Sequence, residues 1–314
     1  MNPAIEVRNL TKTYPGGVRA VRGISFRVEP GEAFGLLGPN GAGKSTTIGM
    51  LTTTVLPTSG NAQVGGFDVS TRPLDARAVS GVVFQDTVVD RSLSGRRNLD
   101  IHARLWHVEP PVAGDSIRAL AAIVGLSELL DRPLSTYSGG QRRRLEIARA
   151  LVPRPRVLFL DEPTVGLDPR IRAELLDLIA GLRDRSDTTI LLTTHYLDEA
   201  ERLCDRIAIM HEGRIVGLDT PAALRRGLGE TVVELRTSDH PESALETLRS
   251  RGLAGPDAFT IGSTITVPLD GTEPADAIAA IHQSGVRTTA VTTRRPTLDD
   301  VYLRLTGGQL NAAA

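Results

Sequence analysis

Residues 32–46 read "EAFGLLGPNGAGKST", and this stretch decides the fold. A short apolar run, right for one buried strand, enters Gly38-Pro39-Asn40-Gly41-Ala42-Gly43-Lys44-Ser45 without a polar break, and Thr46 follows. That spacing is the phosphate-loop pattern, and its chemistry needs this context of a strand before and a helix after. The glycines let backbone N–H groups curl around a β-phosphate, and Lys44 reaches the β/γ oxygens. The Ser45 hydroxyl stands ready for Mg²⁺. Of the 36 basic residues only Lys12 and Lys44 are lysine. A compact ammonium is needed where the planar fork of arginine would collide with the loop.

Outward from the loop, apolar alternation gives strands over 4–10 and 20–28, and a helix is expected from about 43 to 55, stopped by Pro57 and Gly60. A short strand at 80–84 ends at Gln85. From about 95 to 150 the pattern turns helical and reads as an inserted subdomain. Strand 156–161, helix 169–183, strand 188–193, helix 197–203 and strand 206–210 then restore the α/β rhythm, which implies a largely parallel sheet. Beyond "GLGE" (227–230) the order becomes β-α-β-β-α-β, a small split βαβ domain. The expected domains are 1–228, 229–308 and a tail at 309–314.

The formal net charge of −1 over 314 residues gives no basic field for nucleic acid, so no nucleic-acid partner is expected. One cysteine, Cys204, excludes an internal disulfide framework. The opening "MNPAIEVRNL" lacks a charged region ahead of an apolar core, and no apolar run approaches the roughly 20 residues that span a bilayer. The expectation is a cytoplasmic protein that leaves any membrane crossing to another chain.

Other residues carry chemistry. "YSGGQRRRLEIARAL" (137–151) offers a second glycine cradle, Ser138-Gly139-Gly140-Gln141, at a helix start, itself an anion site. "VLFLDE" (157–162) is a buried strand ending in two carboxylates. Asp161 would bind Mg²⁺, and Glu162 would orient or deprotonate the attacking water. Gln85 and His195 each sit just past a strand, at the ligand edge of a parallel sheet. Tyr14, rare in a chain with 4% aromatics, could stack on a purine or anchor its turn.

In this order, Tyr14, the phosphate loop, Gln85, Ser138–Gln141, Asp161-Glu162, Asp168 and His195 resemble the nucleotide-binding domain of an ABC ATPase, over residues 4 to about 228. The resemblance implies a P-loop core with an antiparallel β part and the helical insertion, with ATP and Mg²⁺ as cofactors. It assigns catalysis to Glu162, His195 and Gln85, and metal binding to Ser45, Gln85 and Asp161. It assigns nucleotide binding to Tyr14, Gly38–Thr46, Ser138–Gln141 and Asp168. It also implies a head-to-tail homodimer in which Ser138–Gln141 completes the partner's nucleotide site. "DRSLSGRRNL", "DRIAIMHEGRIVGLDTPAAL" and "RPTLDDVYLRLTG" are similar to the drug-export ATPases of the daunorubicin-resistance type. In those the ATPase is a separate chain, paired with a membrane permease and lying on the inner face of the cell membrane. The alternatives are an importer ATPase and a soluble non-transport ABC ATPase. The chain departs from the wider family at Tyr137 (commonly Leu), at Val165 before the Asp168 turn, and at Arg96-Arg97, where Arg-Glu is frequent at the permease contact.

Overall fold

The computed structural model of the chain describes residues 2–185, 187–269 and 271–307; the expected tail lies outside the described residues. Strands β1 (Ile5–Thr13) and β2 (Arg19–Val28) pair antiparallel, with Ile5 opposite Val28 and Val7 opposite Phe26. The chain then enters β3 (Ala33–Leu37), every residue of which is buried. A strand covered on both faces reads as one unbroken apolar run, as this one does. Helix α1 (Lys44–Leu51) follows the glycine loop but stops short of residue 55. Threonines end it: Thr52 Oγ1 donates to the Ile48 carbonyl at 2.9 Å, Thr54 Oγ1 to that of Gly49 at 3.1 Å, and Thr53 turns at φ 62°. Hydroxyls that satisfy the last carbonyls compete with another helical turn.

Next come β4 (Ser59–Val64), β5 (Phe67–Asp68) and α2 (Pro73–Ala78), none of them foreseen from the sequence. β4, "SGNAQV", buries only Ala62 and Val64, so it carries little apolar pattern; it forms by pairing with β1. The first sheet runs β2-β1-β4-β5. After β6 (Ser80–Val83) come α3 (Gly95–Leu105), α4 (Pro110–Ile123) and α5 (Gly139–Leu151). These helices have their own core, built on Leu99, Ile117, Leu134, Tyr137 and Leu145. Tyr137, the unusual residue before Ser138, is buried there and donates from its hydroxyl to the Leu129 carbonyl at 2.5 Å.

The chain returns through β7 (Val157–Asp161), α6 (Pro169–Arg185), β8 (Thr189–Thr194), α7 (Leu197–Leu203), β9 (Arg206–His211) and β10 (Arg214–Asp219). The second sheet runs β10-β9-β3-β8-β7-β6, and β9 through β6 are parallel. The carboxyl ends of β3, β7, β8 and β6 therefore lie along one edge. They present the glycine loop, Asp161-Glu162, His195 and Gln85, where ligands of open parallel sheets bind.

The remainder holds α8 (Pro221–Arg226), β11 (Thr231–Thr237), α9 (Pro241–Ser250), β12 (Phe259–Ile261), β13 (Thr264–Leu269), α10 (Pro274–Gln283), β14 (Thr288–Arg294) and α11 (Leu298–Thr306). The sheet order is β12-β13-β11-β14 with antiparallel neighbours. Each helix-linked strand pair is thus split by one strand. The compact units are Met1–Ile215 and Val216–Ala314, so the division falls inside β10, ahead of residue 228. Residues 221–228 group with the later unit because α8 packs on α11: Leu228 is buried, and Arg304 Nη1 donates to the Gly227 carbonyl at 2.6 Å. The closing "RPTLDDVYLRLTG" starts α11, with a capping box between Thr297 and Asp300 and an ion pair from Arg294 to Asp300 at 2.6 Å.

Candidate functional site

The glycine loop keeps its shape for reasons local to each residue. Gly41 and Gly43 have φ of 82° and 103°, conformations that cost a side-chain-bearing residue. A Cβ on Gly38 would meet the Met210 carbonyl oxygen at 2.4 Å, and one on Gly43 that of Ala20 at 2.5 Å. Ala42 N donates back to the Pro39 carbonyl at 3.2 Å, and Gly38 N to that of Thr194 at 3.3 Å. Lys44 Nζ folds over the loop onto the carbonyls of Gly38 (2.8 Å) and Pro39 (3.1 Å) and pairs with Glu162 Oε1 at 3.0 Å. Both charged side chains are 4% exposed. Removing one partner of such a buried pair leaves an uncompensated charge. An anion entering the loop must therefore compete with Glu162 for Lys44.

Asp161 Oδ1 accepts from Ser45 Oγ at 3.2 Å and Thr193 Oγ1 at 2.6 Å, while Glu162 N donates to Thr193 Oγ1 at 2.9 Å. Glu162 has φ 45°. His195 Nδ1 lies 3.5 Å from Glu162 Oε1 but is not aligned to bond it, and remains a buried nitrogen without a hydrogen bond. Tyr14, Asn40, Gly41, Gly43–Thr46, Gln85 and Glu162 share a cleft of about 850 Å³. Tyr14 OH is 3.5 Å from Thr46 Oγ1, and Lys12 Nζ sits 5.0 Å from the Tyr14 ring centroid. Asp161 and His195 are not among the lining residues; Asp161 bonds Ser45, and His195 lies beside Glu162.

Ser138–Gln141 lie outside that cleft lining. Ser138 and Gly139 are exposed, and Ser138 and Gln141 bond each other in a capping box, Gln141 N to Ser138 Oγ at 3.2 Å and Ser138 N to Gln141 Oε1 at 2.8 Å. Gly140 is there for packing, since a Cβ would strike Ile171 Cγ2 at 2.3 Å. Asp168 caps α6, accepting from Ile171 N at 3.1 Å. Arg96 is held by Asp131 at 2.7 and 3.1 Å, whereas Arg97 is exposed, near the start of a helix that also exposes Ile101 and Leu105.

Two buried hubs were not foreseen from the sequence. Arg143 gathers backbone carbonyls around Asp161–Pro163. Glu199, 1% exposed, accepts from Thr164 Oγ1, from Thr194 Oγ1 at 2.6 Å and from Arg172 Nε at 2.7 Å. It thereby ties the segment after Glu162 to the strand end before His195. In the sequence Arg143 is the middle of three consecutive arginines, and Glu199 one acid of a charged helix. Only its place on the buried face of α5 could have singled out Arg143.

The donor set fits a nucleotide with Mg²⁺. An added Cβ would strike backbone at Gly38 and at Gly43, Gly41 sits at positive φ, and the hydroxyl of Ser45 and the carboxylate of Asp161 converge beside the loop. Mg²⁺ prefers few protein oxygens, with phosphate and water oxygens completing its shell.

The ABC transporter family matches residues 21–165. The daunorubicin/doxorubicin resistance ATP-binding protein DrrA of Streptomyces peucetius is 41% identical over 310 residues, covering 97% of this chain and 92% of that protein. The Nod factor export ATP-binding protein I of Rhizobium meliloti is 38% identical over 314 residues, covering 98% and 89%. Among solved structures, CbiO1 of Clostridium perfringens, part of the ABC transporter complex CbiONQ, superposes with a TM-score of 0.66 at 29% identity over 71% of this chain and 91% of that one. The chain belongs to the ABC transporter ATP-binding proteins: it binds and hydrolyses ATP and serves a membrane partner. Within that family it is an ATPase subunit of the export type, similar to the daunorubicin/doxorubicin resistance proteins. Among the described residues no helix is long and apolar enough to cross a membrane.

Proposed function

We propose that the chain is the motor of an efflux system for antibiotic-like small molecules. Two copies work head-to-tail on the inner face of the cell membrane beneath a separate permease. The observation that carries the paired arrangement is the separation of the two glycine cradles: the cleft is built around Lys44, while Ser138 and Gly139 face outward from a helix start. The positive end of a helix favours an anion, here one brought by a second copy.

In this reading Tyr14 stacks on the adenine, the N–H groups of the glycine loop wrap the phosphates, and Lys44 turns from Glu162 to them. Ser45, Gln85 and Asp161 would hold Mg²⁺, which supplies neutralisation of phosphate charge. Glu162 takes the proton of the attacking water, and His195 bonds the terminal phosphate. Arg97 with the exposed Val88, Ile101 and Leu105 meets the permease. The domain expected at 229–308 serves assembly or regulation.

Complementation tests the pairing. Lys44→Ala in one chain and Ser138→Arg in the other give a heterodimer with one doubly broken site and one intact site. Hydrolysis should return on mixing, well clear of a loss of about 10²–10³ in each single variant. Because turnover could require both sites, ATP-dependent dimerisation with Glu162→Gln in both chains should be followed too. Mixtures that neither hydrolyse nor dimerise would overturn the shared site.

A further inference from the structure

Arg143 lies five residues past Ser138 on α5 and is 8% exposed. A guanidinium has five N–H donors in a rigid fork, and here five bonds leave it. Nε donates to the Pro163 carbonyl at 2.8 Å. Nη1 donates to the Phe84 carbonyl at 2.5 Å and to Glu146 Oε2 at 3.0 Å. Nη2 donates to the carbonyls of Asp161 at 3.0 Å and Glu162 at 3.2 Å. One cation therefore joins the residue just before Gln85 to three successive residues spanning the strand-end carboxylates. Its neighbours do other work: Arg142 donates to the Tyr137 carbonyl, and Arg144 pairs with Glu174 at 2.6 Å.

Three consecutive carbonyls cannot converge on one point from a continuing strand, and the chain bends at Glu162, φ 45°. A non-glycine residue in that region is strained and persists only when its surroundings over-determine it. Charge-assisted bonds to the carbonyls on either side, with Thr193 accepting from Glu162 N, supply that constraint. The bend is what turns the Glu162 carboxylate onto Lys44.

We infer that Arg143 is a positioning residue for hydrolysis. It holds the bend that aims Glu162 and anchors the approach to Gln85 at the same point. The inference rests on reading Glu162 as the proton acceptor. Lys44 reaches the loop through its own contacts to Gly38 and Pro39, so nucleotide binding does not depend on the clamp.

The test uses full-length Arg143→Lys and Arg143→Gln. Lysine keeps the charge but carries three donors on one point, so it cannot serve both the Phe84 carbonyl and residues 161–163. Steady-state ATP hydrolysis and the affinity for a fluorescent ATP analogue are measured side by side. The expected result is a kcat lowered about ten- to a hundredfold, as misplaced groups produce, with KM and affinity within about twofold of wild type. A kcat within about twofold of wild type overturns the inference, as does a parallel fall in kcat and affinity, the mark of a merely structural role. If neither variant folds, Glu146→Gln decides: it removes the anion paired with the fork, while the amide oxygen that remains can still accept from Val88 N, as Glu146 Oε1 does at 3.2 Å. It should lower kcat severalfold at unchanged affinity, and an unchanged kcat overturns the inference. Glu162→Gln run alongside keeps the two readings apart. Near-wild-type turnover there means that the proton-acceptor reading has failed, whereas an inactive Glu162→Gln beside an unimpaired Arg143→Lys means that only the positioning role has.

Discussion

At the scale of single residues, the buried ion pair between Lys44 and Glu162 gives the two substitutions opposite consequences. Lys44→Ala deletes the charge proposed to meet the phosphates and leaves Glu162 buried without its partner, so it should abolish nucleotide binding and lower thermal stability together. Glu162→Gln removes the competing carboxylate, and Lys44 keeps its two carbonyl acceptors. Binding should survive, while turnover should drop by about 10²–10⁴, the range for loss of a general base. Equilibrium binding of a fluorescent nucleotide together with phosphate release checks both. Turnover near wild type in Glu162→Gln would remove it from the proton-transfer role.

At the scale of elements, the helical insertion carries a pH dependence of its own. Burial, and then the positive charge of Arg149 on α5, push His102 on α3 down to about 4. The histidine is therefore held neutral in the folded insertion, whereas an unfolded one titrates near 6.5, about the free value. The unfolded state binds more protons between those values, so the contribution to stability is complete above about 6.5 and falls as pH drops toward 4. Replacing His102 by Gln should flatten that acid-side loss. Melting curves of the full chain between pH 7 and pH 4 would read it, and identical pH slopes for both proteins would exclude His102 as the cause. His102 also packs against Trp106, with ring centroids 5.9 Å apart, so the variant should be somewhat less stable at neutral pH as well.

At the scale of the whole molecule, every residue lining the cleft belongs to the unit Met1–Ile215. A chain ending after Asp219 retains β10 and should bind nucleotide as the full chain does. A loss of about tenfold, 1.4 kcal/mol, in a folded truncate would contradict this. A cut after Gly229 is a worse choice, because it keeps α8 and Leu228 while deleting the α11 that packs on that segment. Isothermal titration on the two truncates, with their solubility compared, separates these expectations.

The glycine loop, the strand-end carboxylates and the single residues past β6 and β8 were legible in the sequence because their chemistry depends on local spacing and local backbone form. Glycines that need positive φ, a lysine after them and an apolar run that must be doubly covered all declare themselves without neighbours. β4 was not legible, since "SGNAQV" becomes a strand only by pairing with β1, and neither was α8, which joins the later unit through α11. Nor could three successive arginines be told apart. Arg142, Arg143 and Arg144 are equivalent as a string, and the helical turn plus the packing of α5 sends one inward to Asp161–Pro163 and leaves the next with Glu174. The sequence by itself determined the glycine loop and the strand-end groups that gather at one edge of the parallel sheet. The tertiary structure alone decided which buried charges hold them in place, because burial and hydrogen-bond partners arise between segments far apart in the chain.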